Sequence, residues 1–99
     1  MSFIVMWSPE AKSEYAEILS FIEQGWGEGS ALKLLDRTEE IIDHISRHPK
    51  MYPSTSVKKN IHKAVITSNL SLIYKVKPKA IHLLHFWDNR KNPQNLETL

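Results

Sequence analysis

The residues best equipped for chemistry gather in the second half of the chain. Lys58, Lys59, His62 and Lys63 lie close together, and His85, Arg90 and Lys91 follow near the end. Cleaving an RNA backbone without a metal needs cations to stabilise the pentacovalent phosphate. It also needs a group to take the 2′-hydroxyl proton. His62, Lys63, His85 and Arg90 form the candidate catalytic set: a histidine moves the proton, Lys63 holds phosphate and Arg90 stabilises transition-state charge. Lys58, Lys59 and Lys91 are the candidate RNA or phosphate contacts. The plainer alternative is a basic rim with no catalytic task.

Other constellations carry less. His44 and His48 have the i, i+4 spacing of metal ligands on a helix, but no third ligand is near, and a helix C-terminus favours His for dipole reasons. His82 and His85 are three apart, so on a regular strand they point to opposite faces. Gly25, Gly27 and Gly29 follow a helical stretch instead of a strand, and no Lys-Ser or Lys-Thr comes after them. They read as a helix–helix connector, not a phosphate loop. No Ser-His-Asp order, acid–base carboxylate pair or metal cluster stands out, and nothing asks for a cofactor.

Charge is distributed unevenly. The chain has 99 residues, a formal net charge of +2 and no cysteine. Residues 1–49 hold nine acids against four bases, and residues 50–99 hold nine bases against two acids. An acidic front and a basic back would draw phosphates or an acidic partner to the second half. Without cysteine, disulfide and thiolate chemistry are excluded and a cytoplasmic setting is allowed. The apolar run Phe3–Trp7 is too short for a membrane span and lacks the basic flank of a signal peptide.

These residues need positioning, and the pattern predicts how. One domain is expected over residues 1–99, with 88–99 a polar tail. Phe3–Trp7 reads as a strand. Ser8-Pro9-Glu10 starts a helix whose apolar stripe is Ala11, Tyr15, Ile18, Leu19, Ile22 and Trp26, stopped at Gly25. A second helix runs from about Ser30 to Arg47, with Leu34, Leu35, Thr38, Ile41 and Ile45 on its stripe and Pro49 beyond it. Three strands follow: 61–67, 70–77 and 80–87. Ser68-Asn69 turns between the first two, using the tolerance of Asn for positive φ, and Pro78-Lys79 turns between the others. The expectation is an α+β fold, β-α-α-β-β-β, with a helical hairpin on one side of a mostly antiparallel four-stranded sheet. The other side stays open unless a partner covers it.

The motifs Val5–Lys12, Asn60–Thr67, Leu72–Val76 and Asp88-Asn89-Arg90, in that order around a helical hairpin, resemble the RelE/ParE superfamily of bacterial toxins. The resemblance spans about residues 3–93. It implies a toxin of a type II, plasmid-stabilisation toxin–antitoxin system, neutralised by a cognate antitoxin. One branch cuts messenger RNA on the ribosome; another poisons DNA gyrase and cuts nothing. His62 and Lys63 stand where RNA-cutting members usually have a basic first-strand position held by arginine. Arg90 takes the late basic position, and no tyrosine follows Tyr74. The long helical hairpin resembles the gyrase-poisoning branch equally well. A third reading is a non-toxic RNA- or partner-binding domain.

Overall fold

The computed structural model describes residues 2–55 and 60–88. The elements are β1 (Ile4–Trp7), α1 (Pro9–Trp26), α2 (Glu28–Arg47), β2 (Ile61–Thr67), β3 (Leu70–Val76) and β4 (Ala80–Asp88). The expected order and α+β class hold. The sheet order is β1-β4-β3-β2, with β1 parallel to β4 and the other neighbours antiparallel. The helical hairpin carries the chain from one sheet edge to the other, which is how β1 ends beside the last strand. It covers one face as it goes, α1 over β4 and α2 over β2.

Local chemistry sets the boundaries. Ser8 caps α1, its Oγ accepting from the Ala11 N–H at 2.9 Å, with Pro9 in the first helical position. The same hydroxyl donates to Leu84 O, and the Ser8 N–H donates to Leu83 O, so the cap also ties α1 to β4. The hairpin turn falls at Gly27, not Gly25. Gly27 has φ +95° and is the one described residue with positive φ, a conformation glycine adopts without Cβ strain. Accordingly α1 ends at Trp26 and α2 begins at Glu28.

The core lies between the hairpin and the sheet. Ala11 and Tyr15 of α1 and Ile41 and Ile45 of α2 meet Ala64, Leu72, Tyr74, Ile81, Leu83 and Phe86. Leu72, Tyr74 and Leu83 are fully buried, each such side chain being worth about 1.5–3 kcal/mol. Trp7, Tyr15 and Phe86 form a ring cluster that joins β1, α1 and β4, the closest centroids 4.6 Å apart. Trp26 leaves the expected stripe: it is the last residue of α1, next to the Gly27 turn, and is 64% exposed.

Two β-bulges reset the faces. In β4, Tyr74 pairs with Leu83 but Ile73 pairs with His85, leaving Leu84 extra. In β2, Ile66 is extra between Val65 and Thr67, and its carbonyl accepts from Arg37 Nε of α2. The Ser68-Asn69 loop forms as expected between Thr67 and Leu70, yet without positive φ. The neighbouring bulge supplies the twist that a left-handed turn would have given. β1 is an edge strand with Ile4 and Met6 exposed on the helix-free face. That face is not open throughout, since Ser71 and Ile73 at its centre are fully buried.

Candidate functional site

Of the candidate cations, Lys58, Lys59, Arg90 and Lys91 lie outside the described residues. The structure separates the others. His62 and Lys63 are adjacent in sequence and therefore on opposite faces of β2.

His62 faces the helices. It is 6% exposed, stacked on Tyr74 with centroids 5.3 Å apart, and its Nδ1 lies 2.7 Å from Tyr52 O. A carbonyl only accepts, so Nδ1 carries the hydrogen and donates. Tyr74 does the same from beneath, its hydroxyl donating to Pro49 O at 2.8 Å. Main-chain bonds from Thr55 N to Ile61 O and from Lys63 N to Pro53 O complete the attachment. Residues 49–55 are thus strapped along the edge of β2, and His62 is one of the pins. Burial first, and the nearby Tyr52 phenol second, hold the Tyr74 pKa well above the ordinary phenol value. Tyr15 is also raised by burial. Its hydroxyl makes no hydrogen bond of ordinary geometry, although Thr38 is near enough to offset part of the rise and Glu39 adds to it.

The face away from the helices holds Lys63, Lys75, His82 and His85. Lys63 pairs with Ile73, which pairs with His85; Lys75 pairs with His82, which pairs with Met6. His82 and His85 thus share a face, against the three-residue spacing, because the Leu84 bulge inserts one residue between them. At this bulge β1 has already ended, and α1 covers the exposed edge of β4. Glu14 accepts from the Phe86 N–H at 3.0 Å and from His85 Nδ1 at 3.1 Å. His85 is held at the rim by this partly exposed contact with the Glu14 carboxylate. Glu14 had no motif to mark it; its carboxylate meets β4 only through the packing of α1.

A second surface lies at the hairpin tip. Ile18, Phe21, Ile22 and Trp26 of α1, Leu34 of α2 and Leu70 of β3 line an apolar groove of about 420 Å³. Phe21 and Trp26, 58% and 64% exposed, meet edge-on above it with centroids 5.9 Å apart. Exposed aromatic surface concentrated over an apolar groove makes this a candidate contact site. Sequence reasoning overlooked Phe21, although its position off the buried stripe was a usable signal. Among the described residues, no three His, Asp or Glu side chains gather as a metal ion would require. No helix among the described residues is long and apolar enough to cross a membrane.

Toxin–antitoxin proteins are among the solved structures that share this architecture. The chromosomal ParDE system of P. aeruginosa aligns with a TM-score of 0.74 at 17% identity, over 88% of this chain and 96% of that one. The YoeB dimer of Staphylococcus aureus aligns at 0.63 and 16%, over 88% and 97%. The E. coli DinJ–YafQ toxin–antitoxin complex aligns at 0.64 and 9%, over 93% and 98%. At these identities the likeness is one of fold. No curated protein sequence matches. The chain belongs to the ParE toxin family of type II toxin–antitoxin systems, parDE, whose sequence model matches residues 5–93, and it is the toxin of such a pair.

Proposed function

We propose that this toxin acts by binding DNA gyrase and inhibiting it, without cutting RNA. The observation that carries this reading is the engagement of His62. One of the two histidines expected to take a 2′-hydroxyl proton, His62, stacks on Tyr74 and donates to Tyr52 O, closed off from any substrate. Family membership supports it, since the gyrase-poisoning branch includes ParE. In the resting cell a cognate antitoxin neutralises the chain by laying an apolar segment in the Phe21–Trp26 groove, as an amphipathic helix does in a hydrophobic slot. The action belongs in the cytoplasm, with no membrane partner.

Purified toxin added to purified gyrase without ribosomes tests the reading. Supercoiling falls with toxin concentration, and cells arrested by the toxin keep intact messages. Unchanged supercoiling, with new 5′ ends inside translated codons as growth stops, overturns it. That outcome favours a metal-independent endoribonuclease acting on ribosome-bound messenger RNA. The feature in favour of this second reading is the Lys63–Ile73–His85 row, which puts a lysine and a histidine on one face. Loss of the new cuts in Lys63→Ala or His85→Ala would support it.

A further inference from the structure

We infer that the sheet face turned away from the helices binds duplex DNA through its phosphates, by way of Lys63, Lys75 and His82. This deepens the gyrase reading, on which it rests for its setting: the toxin holds the DNA that gyrase carries as well as the enzyme.

The fold sorts charge by layer. The helical hairpin and its cap, residues 8–47, hold nine acids against four bases, whereas the described strands and turns, 60–88, hold Lys63, Lys75, Lys77 and Lys79 against Asp88 alone. The hairpin covers one face, so the other is the basic side. Asp88 pairs with Leu70, in step with the helix-facing residues, and leaves that basic side free of its charge. Lys63, Lys75, His82 and His85 sit on three neighbouring strands, each partly exposed. Strand spacing and rise put Lys63 and His85 about 10 Å apart across the sheet, and the two rows about 7 Å apart along it. Lys77 and Lys79, exposed in the turn between β3 and β4, extend the patch. Glu14 offsets the His85 corner, which leaves Lys63 and Lys75 as its positive centre, with the imidazole of His82 beside Lys75 as a hydrogen-bonding neighbour.

The occupant follows from what the face lacks. β3 and β4 are interior strands with main chains engaged in ladders, so only side-chain tips are offered, which suits phosphates and not base edges. A single strand needs exposed rings on which to stack bases. Among the described residues the aromatic side chain on this face is Trp87, half-buried with its indole N–H fully buried; Phe86, Tyr74 and Trp7 belong to the other side. An acidic peptide adding as a strand would need a free edge; at β1 only His82, paired with Met6, is close, and the edge of β2 beside Lys63 is already taken by residues 53–55.

The test uses full-length toxin and a short labelled DNA duplex of mixed sequence, read by fluorescence anisotropy across salt. Binding is expected to weaken with a log–log salt slope of about −2, as for two phosphates neutralised by Lys63 and Lys75. Lys63→Gln with Lys75→Gln lowers affinity about tenfold or more. Lys12→Gln, on the helix side, leaves it unchanged, and thermal melts check that each variant is folded. His82→Gln alone gives a smaller loss and serves if the double variant does not fold. Unchanged affinity in the folded variants, or tighter binding of single-stranded RNA than of duplex, overturns the inference. The supercoiling assay separates the two proposals. If the double variant loses duplex binding but inhibits gyrase fully, the DNA surface stands and its part in inhibition fails. If wild-type toxin binds duplex yet leaves gyrase active, the gyrase reading fails and the DNA surface stands.

Discussion

The two faces of β2 treat neighbouring residues in opposite ways. His62 goes inward, stacks on Tyr74 and pins the strap of residues 49–55; Lys63 goes outward, into a row with Ile73 and His85. Both belong to one basic run in sequence, and both have side chains that phosphate chemistry can use. The difference teaches that a cationic run crossing a strand is divided by the pleat. Half of it joins the fold and half is left for a partner. His85 makes the same point from β4: Glu14 and the Phe86 N–H give it a position, while its distance from the core leaves it within reach of solvent.

The sharpest way to break this comparison is His62→Ala. It removes a buried ring, its stack and a donor to Tyr52 O, and is expected to cost about 2–4 kcal/mol. In a thermal melt that is a fall of about 10 °C or more for a chain of this size. Loss of toxicity with an unchanged melt would make His62 a reacting group after all.

The strap can be probed by alkali. Tyr74 and Tyr15 hold their protons above the ordinary phenol value of 10.0, whereas in the unfolded chain they titrate near it. The stability they contribute is complete below about pH 10. It falls as pH rises past that point, by about 1.4 kcal/mol per unit for each tyrosine until the folded pKa is reached. Urea midpoints between about pH 9 and 11 should show the slope. Tyr74→Phe should flatten it while costing about 1–2 kcal/mol at neutral pH for the lost bond to Pro49 O.

On the other face the effects are smaller. Glu14→Ala leaves the Phe86 N–H without its acceptor and is expected to cost about 1 kcal/mol by urea titration. Glu14→Gln should recover most of that, because an amide oxygen still accepts; failure to recover would give the ion pair with His85 more weight than its exposure suggests. Val65→Lys, on an exposed position of the same face, should change stability by no more than about 0.5 kcal/mol.

Much of the fold was legible because its signals are local. The Ser8-Pro9 cap, the 3.6-residue stripes of the helices and the alternation in β2 and β3 each depend on residues a few positions apart. The candidate site was legible only as a list of residue types. Nothing in the sequence marks Leu84 as an extra residue, and one such insertion reverses the relative faces of His82 and His85. Nothing near Glu14 announces its partners, which stand 71 and 72 residues away.

By itself, then, the sequence determined the helical hairpin, the three-strand meander, the uneven charge and the family, since all are properties of nearby residues or of their order. Only the tertiary structure decided that β1 lies parallel to β4, that His62 is closed in, that Lys63, Lys75, His82 and His85 meet on one face, and that Phe21 and Trp26 rim a groove. These outcomes depend on register, bulges and the packing of distant elements. They are settled by which surfaces can be buried together, and a side chain's type does not say which of two faces it will take.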